Sequence, residues 1–282
     1  MIEYIIIAIL QGLFEWLPIS SSGQVMIIAI NLFGISSSEA FSLAIWLHLG
    51  TMFAVVLKYR NNYYIMFRSL IPHKNREIES NTIIERNWVI LATIGTALTA
   101  LPLYFIFKLV LENYFNATQG DILTLIIAGL LIVIGIIILI AKKQTGKKEL
   151  YKLSEDFFHS ESLVAGLVQG ISILPGVSRS GITVSSILFQ NYNQDEALKL
   201  SFLISVPAVL GSIGADILFG SGSVFGTLNI FTILISTIVS FIVGYLTIEI
   251  LLKLAKRINF GYFCIGYGLI AFMVILPFLL IF

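Results

Sequence analysis

Residues 11–24 read QGLFEWLPISSSGQ, and residues 169–183 repeat the pattern as QGISILPGVSRSGIT. Each stretch begins with Gln-Gly, passes through Leu-Pro and ends on a serine-rich turn that closes with Ser-Gly. Lipid cannot satisfy the backbone groups that such a break leaves unpaired, so broken helices persist only where they are buried in protein or line a wet cavity. Paired breaks in two halves of one chain therefore predict a binding site where the halves meet.

The surrounding sequence has the composition of a membrane protein. Of its 282 residues, 57% are hydrophobic and 12% are charged, whereas a soluble domain carries about 25% charge. The net charge of +1 points to no nucleic-acid partner, and the single Cys264 leaves neither a disulfide nor a thiolate metal site to form. Four segments are long enough to cross a hydrocarbon core, which needs ~20 apolar residues: 122–141, 201–219, 228–252 and 262–282.

The hydropathy pattern predicts an all-α polytopic membrane protein with an inverted-topology repeat. We expect two re-entrant helical hairpins, at 2–33 (helices 2–17 and 20–33) and at 161–190 (helices 161–174 and 178–190). One integral membrane domain then contains a first repeat over 1–150 and a second over 151–282, each a hairpin plus three spans. The six transmembrane helices are expected at about 39–58, 87–110, 121–141, 198–219, 228–252 and 261–282.

The basic residues orient these spans. All of the seventeen Lys and Arg residues except Lys108 and Arg179 fall in the loops at 58–87, 142–160 and 191–199 or around 253–257. Because cytoplasmic loops are rich in Lys and Arg, these loops are predicted to be cytoplasmic. Both termini then face outside, and the two hairpins enter from opposite sides of a cell membrane.

Two charged residues inside the motifs are the leading site candidates. Glu15 lies one helical turn after Gln11, so both side chains share a helix face. A carboxylate in a membrane segment costs roughly 2.5–3.5 kcal/mol and is a functional hypothesis by default, although a Glu at a shallow helix end can also reach the interface. Arg179 presents a planar fork suited to phosphate oxygens. A structural ion pair with Glu15 is the alternative, and it is compatible with phosphate binding.

Hydroxyl groups surround these charges. One hydroxyl of the run Ser20, Ser21 and Ser22 could act as a nucleophile, or the three could donate hydrogen bonds to phosphate oxygens. The ordinary packing of serine between membrane helices explains the run equally well. In the second motif Ser178, Ser180 and Thr183 can bind phosphate oxygens or cap the following helix, and Gly176 allows close backbone approach to an anion. His48 and Asp216 are interpreted as a packed imidazole and as polarity at the membrane interface.

A carboxylate, a guanidinium, several hydroxyls and glycine-rich backbone together suit a phosphate or diphosphate. A site within a bilayer can reach a head group whose tail remains in lipid, so a lipid phosphate is the expected substrate. The sequence has no Walker loop, no dinucleotide fingerprint and no zinc spacing.

The motifs QGLFEWLPISSSG and PGVSRSGIT resemble those of the undecaprenyl-diphosphatase (bacitracin-resistance) family, and the resemblance covers the whole chain. It implies hydrolysis of undecaprenyl diphosphate to the monophosphate and inorganic phosphate, which recycles a lipid carrier for envelope glycans. It also implies inverted repeats with two re-entrant hairpins and a site that opens outward. A homodimer is left open.

Carried over by motif position, the catalytic residues are Glu15, Ser21 as nucleophile and Arg179 as diphosphate clamp. Gln11, Ser20, Ser22, Gly176, Ser178, Ser180 and Thr183 would bind substrate. The resemblance also implies a divalent cation, Mg²⁺ or Ca²⁺, with Glu15 as its ligand. The sequence departs from the family in having Gln11 where many members have Glu, and Gln24 where many have His. A lipid-phosphate or small-anion transporter is the alternative function, because broken helices in inverted repeats are also transporter architecture.

Overall fold

The computed structural model describes residues 1–17, 19–70, 80–114, 120–141, 146–150, 155–220, 223–257 and 260–281. Pro18, part of the first predicted break, lies outside these residues, as do parts of the predicted basic loops. The helices are α1 (Ile2–Phe14), α2 (Ser21–Asn31), α3 (Ser37–Lys58), α4 (Arg60–Ser69), α5 (Ser80–Tyr114), α6 (Gly120–Ala141), α7 (Glu155–Gly170), α8 (Arg179–Phe189), α9 (Gln194–Phe219), α10 (Val224–Thr227), α11 (Ile230–Arg257) and α12 (Phe260–Ile281).

The prediction of an all-α membrane protein is confirmed. Within the described residues, five helices are long and apolar enough to cross a membrane: Ser37–Lys58, Asn81–Val110, Ile122–Ala141, Gln194–Phe219 and Ile230–Leu254. Their outward faces carry exposed apolar side chains, for example Ile106 on α5 and Leu246 on α11, which suit contact with lipid. The sixth predicted span coincides with α12, of which Cys264–Met273 is found as a shorter apolar helix, so that span stays a prediction.

Two pairs of short helices carry the repeated motif. The first pair is α1 and α2, and the second is α7 and α8, with a single 3₁₀ turn over Ile171–Ile173 after α7. The two pairs make equivalent contacts with the long helices. The first helices, α1 and α7, pack on α11 and α5, respectively. The second helices, α2 and α8, pack on α3 and α9, respectively. The glycine of each Gln-Gly dipeptide lies at such a contact. A Cβ atom on Gly12 would lie 2.8 Å from the Cβ of Val243, and one on Gly170 would lie 2.6 Å from the carbonyl oxygen of Thr96.

The long helices enclose these pairs. α3 contacts both α11 and α9, and α6 lies against α12 while touching α2 and α8. The main hydrophobic core includes Trp16, Met26, Leu47, Phe202 and Leu203, all buried. The broken helices are therefore held inside a shell of spans, where protein rather than lipid surrounds their ends.

Asp216 is buried, which corrects the interpretation of this residue as interface polarity. Its Oδ2 atom accepts hydrogen bonds from Ser42 Oγ at 2.7 Å, Trp46 Nε1 at 3.0 Å and Ser223 Oγ at 2.7 Å. These donors stabilise the carboxylate in place of water. The backbone N–H of Val224 donates in turn to Ser42 Oγ. Asp216 thus ties α9 to α3 and to the start of α10.

Candidate active site

The tips of the two broken helix pairs contact each other. A Cβ atom on Gly23 would lie 2.8 Å from the backbone nitrogen of Gly176 and 2.9 Å from its Cα atom. Gly176 has a φ of 94°, and a Cβ there would lie 2.8 Å from the carbonyl oxygen of Ile127 on α6. A left-handed conformation without room for a side chain requires glycine. The two motifs meet because these glycines let their backbones touch.

Glu15 and Arg179 form an ion pair between the motifs. Glu15 directly follows α1, Arg179 is the first residue of α8, and Arg179 Nη2 donates to Glu15 Oε1. The side chains are 4% and 15% exposed, so each charge is largely removed from water and depends on the other. The structure brings together the two residues that the sequence ranked first.

Ser21 and Gln11 bind the other oxygen of the same carboxylate. Ser21 Oγ donates to Glu15 Oε2 at 2.7 Å, and Gln11 Nε2 donates to that oxygen at 2.8 Å. Ser21 is the first residue of α2 and lines the central cavity. A hydroxyl hydrogen-bonded to a carboxylate in this way is oriented as a nucleophile with its base beside it.

His48, interpreted from the sequence as a packed imidazole, lies beside Glu15 in the candidate site. Its Nε2 atom lies 3.2 Å from Glu15 Oε2, and its Nδ1 atom lies 2.5 Å from the carbonyl oxygen of Ala44, one turn earlier in α3. The imidazole is 16% exposed and lines the same cavity as Ser21. The sequence offers only a lone imidazole within an apolar helix at this position, and such a pattern favours packing over catalysis.

Four predicted hydroxyl residues reach the cavity: Ser20, Ser22, Ser178 and Ser180. Two of them also cap helices. Ser20, at φ 57°, accepts from the Gly23 backbone N–H at 3.3 Å, and Ser178 accepts from Gly181 N–H at 3.1 Å. Ser180 Oγ donates to the carbonyl of Leu17 at 3.4 Å and so joins α8 to the first break. Capping uses a lone pair of the hydroxyl and leaves its proton available to a ligand.

Three predicted residues lie behind the cavity wall. Gln11 and Thr183 are fully buried, and Gly176 forms the tight turn against α6. The Thr183 hydroxyl has no hydrogen-bond partner among the described residues. Gln11 reaches the site through Glu15. Direct substrate binding by these three residues stays a prediction.

The cavity has a volume of about 240 Å³ and two chemically different ends. Glu15, Ser21, His48 and Arg179 line one end, and the N-termini of α2 and α8 start there. Unpaired amides at helix starts favour anions. Most of the remaining lining is apolar and comes from α3, α5 and α9, through Phe41, Ile45, Leu101, Tyr104, Pro207 and Val209. Polar side chains such as Thr93, Thr96 and Gln169 also line it. An anionic head joined to a hydrocarbon tail matches both ends.

The residues present do not fit a divalent cation held by Glu15. Its Oε1 accepts from Arg179, and its Oε2 accepts from Ser21 and Gln11 and lies beside His48. The described residues include no cluster of three His, Cys, Asp or Glu side chains that could hold an ion. Hard cations require several oxygen ligands, and here a guanidinium already neutralises the one carboxylate that lines the described cavity.

Gln24 stands at the motif position where the family resemblance leads one to expect His, and its side chain is bonded within the turn rather than to Glu15, Ser21 or Arg179. Its side chain is buried, and Nε2 donates to the carbonyl oxygen of Ile19 at 2.7 Å. It does not contribute to the lining of the cavity. Gln24 therefore braces the turn that presents Ser20 and Ser21.

Comparison with known proteins gives a consistent result. The family model described as bacitracin resistance protein BacA matches residues 4–272. A protein of Methanothrix thermoacetophila named undecaprenyl-diphosphatase is 38% identical over 269 residues, which are 95% of this chain and 94% of the relative. Relatives with the same name from Methanococcoides burtonii and Methanopyrus kandleri are 36% and 34% identical. The first alignment spans 95% of this chain and 96% of the relative, and the second spans 96% of this chain and 94% of the relative.

Proposed function

This chain belongs to the bacitracin resistance protein BacA family, and we propose that it hydrolyses undecaprenyl diphosphate to the monophosphate and inorganic phosphate. It is thus an integral membrane phosphatase, a phosphoric-anhydride hydrolase that recycles the lipid carrier of envelope glycan synthesis. The observation that carries the proposal is the meeting of Ser21, Glu15 and Arg179 in a cavity whose other lining residues are mainly apolar.

Ser21 is the proposed nucleophile. Its Oγ attacks the terminal phosphorus, a new Oγ–P bond forms, and the anhydride P–O bond to the lipid monophosphate breaks. Glu15 Oε2, which already accepts the hydroxyl proton at 2.7 Å, receives that proton. Water then cleaves the phosphoserine and releases inorganic phosphate. The alternative route is direct attack by water on the terminal phosphorus, with the Ser21 hydroxyl donating a hydrogen bond to a phosphate oxygen.

Arg179 is the proposed clamp. A guanidinium carries five N–H donors in a fixed fork, and Nη2 is the one directed at Glu15. The remaining donors suit the oxygens of a diphosphate, on which negative charge develops during transfer. Ser178 and Ser180, beside Arg179 on the cavity wall, would add hydroxyl donors. Phosphoryl transfer depends mainly on such positioning and charge stabilisation.

The lipid tail follows the apolar wall. Side chains of α3, α5 and α9 continue from the polar end of the cavity, and this arrangement accommodates the first isoprenyl units while the rest of the chain remains in the bilayer. The preference for one polyprenyl length depends on contacts further along the tail.

The repeat organisation and sidedness form a further part of the proposal. The first helix of each pair makes an equivalent contact, since α1 packs on α11 and α7 packs on α5. These equivalent contacts support an inverted repeat of residues 1–150 and 151–282. Loop charge supports termini that face outside the cell membrane, and the family resemblance implies that the active site opens to the same side. The predicted sidedness can be tested by cysteine labelling. Cys264 is the only cysteine in the sequence, so a Cys264→Ser, Ser160→Cys protein carries one thiol in a predicted cytoplasmic loop. A membrane-impermeant maleimide should label this thiol only in inside-out vesicles, and labelling of intact cells would contradict the topology.

A divalent cation and a homodimer are also proposed, each with its own test. Since Glu15 is already engaged, Mg²⁺ or Ca²⁺ would enter with the diphosphate oxygens. Chelation should then lower turnover while calorimetry detects no ion binding to the substrate-free protein. Tight binding to the free protein would contradict this arrangement.

Light scattering in detergent decides between monomer and homodimer.

Purified protein in liposomes tests the main proposal. Undecaprenyl diphosphate on the accessible side should yield inorganic phosphate, and Arg179→Ala should abolish its release. The exposed Arg68, away from the cavity, provides Arg68→Ala as a matched control that should retain turnover. Movement of intact lipid diphosphate without phosphate release would support a transporter instead.

A further inference from the structure

We propose that His48 is a catalytic residue of this site, which shares a proton with Glu15 and exchanges it during phosphoryl transfer. This inference rests on the proposed function and assigns the imidazole a role within it. It adds a residue from α3, outside both motifs.

Hydrogen-bond direction carries the first step. A backbone carbonyl can only accept a hydrogen bond, so the 2.5 Å contact with Ala44 O requires the proton to be on His48 Nδ1. Nε2 then faces Glu15 Oε2 at 3.2 Å. An unprotonated Nε2 beside an ionised carboxylate would set two lone pairs against each other. One proton must therefore lie between these two atoms, on the nitrogen or on the oxygen.

The two oxygens of Glu15 have different partners. Oε1 pairs with Arg179, whose guanidinium does not release a proton in proteins. Oε2 meets His48 and the Ser21 hydroxyl, and histidine is the side chain best suited to exchange protons near neutral pH. Arg179 thus supplies permanent charge, whereas His48 supplies an exchangeable proton.

The surroundings of His48 support this division. Among the described residues that line the cavity, the titratable groups are Glu15, His48, Arg179 and the phenol of Tyr104. The cavity-lining side chains from α2, α8 and α9 are otherwise uncharged. Because Gln24 is bonded to Ile19 behind the turn, α3 provides the imidazole that lies against the reacting groups.

The proposed exchange balances in both steps. When Ser21 Oγ bonds to phosphorus and the anhydride bond breaks, the hydroxyl proton enters the Glu15–His48 pair. The pair returns one proton to the departing lipid phosphate. In the second step a water oxygen bonds to phosphorus and the Oγ–P bond breaks. The pair takes a proton from this water and returns one to Ser21, which restores the starting state.

His48→Gln tests the proposal, because an amide can still donate a hydrogen bond to Glu15 but cannot exchange a proton. General acid–base catalysis contributes about 10²- to 10⁴-fold, so kcat of His48→Gln should fall by about 10²-fold or more while KM changes little. Its pH–rate profile should lose one limb of the wild-type curve. His159→Gln makes the same substitution at an exposed position and should retain wild-type kinetics.

Wild-type kcat and an unchanged pH–rate profile in His48→Gln would overturn the proposal, since a merely positional role survives this substitution. Arg179→Ala, measured in parallel, separates the two levels of inference. If it is inactive while His48→Gln is fully active, the phosphatase site stands and only the role of His48 fails. If both variants are fully active, the proposed function fails. A matching thermal unfolding midpoint for His48→Gln excludes loss of folding as the cause of lost activity.

Discussion

The guanidinium of Arg179 is paired with the carboxylate of Glu15, although 164 positions separate the two residues in the chain. Each residue lies at a helix end inside one copy of the repeated motif. The pair fixes the tips of the two halves relative to each other, and the carboxylate that it binds also orients Ser21. The same contact therefore supports both the fold and the proposed chemistry.

Removing one charge of this pair should lower the free energy of unfolding more than removing both charges. Arg179→Gln leaves the buried carboxylate of Glu15 without its guanidinium, a loss of about 3–5 kcal/mol, whereas Glu15→Gln with Arg179→Gln leaves two neutral amides. Thermal unfolding in detergent should rank the double variant above Arg179→Gln. An equal or lower midpoint for the double variant would contradict the pairing. Both variants should lose catalysis.

Arg179→Lys should retain folding but lose catalysis. Lysine keeps the positive charge, yet it is a point charge without the planar fork that binds oxygens in pairs. Loss of a transition-state donor costs about 10²- to 10³-fold in kcat, and we expect a decrease of that size in phosphate release. Turnover within tenfold of wild type would mean that charge alone suffices.

Ser21→Ala should reduce phosphate release by about 10³-fold or more if Ser21 is the nucleophile. Rapid acid quench of wild type followed by mass spectrometry should find phosphate on the peptide that contains Ser21. Ser160→Ala, at an exposed position outside the cavity lining, should behave as wild type. Turnover of Ser21→Ala within tenfold of wild type would favour direct attack by water.

Gly23→Ala should uncouple the two motif tips. The new methyl group would lie 2.8 Å from Gly176 N and 2.9 Å from its Cα atom, and backbone atoms cannot move aside cheaply in a close-packed interior. We expect a lower unfolding midpoint and a loss of turnover. Gly214→Ala is the matched control, since a methyl there meets no atom within 4 Å. Equal effects of the two variants would contradict the contact.

Asp216→Ala should destabilise the protein without a direct effect on chemistry. The change leaves the donors of Ser42, Trp46 and Ser223 without their acceptor, and an unsatisfied buried polar group costs about 1–3 kcal/mol. The unfolding midpoint should decrease, while KM and kcat of the folded fraction stay near wild type. Asp216→Asn, which keeps an acceptor, should decrease it less.

The class of fold was predictable from the sequence because it depends on the solvent. Apolar segments of span length have few alternatives to helices in a bilayer, and the two Leu-Pro breaks with their serine-rich turns mark where backbone groups need other partners. For the same reason Glu15 and Arg179 could be singled out, since charges within such segments are costly. The bounds of α3, α6, α9 and α11 lie within about five residues of the predicted spans, whereas α5 extends beyond its predicted span of 87–110 at both ends.

Only the tertiary structure decided which faces of the helices meet. α3 is apolar nearly all round, so its sequence carries little information on which side its few polar residues face, and His48 resembled an ordinary packed imidazole. The placement of His48 beside Glu15, of Asp216 beneath Trp46, and of Gln24 away from the cavity depends on helix rotation and crossing. Those are set by close packing between distant segments, and a hydrophobic pattern shared by lipid-facing and core-facing sides does not encode them.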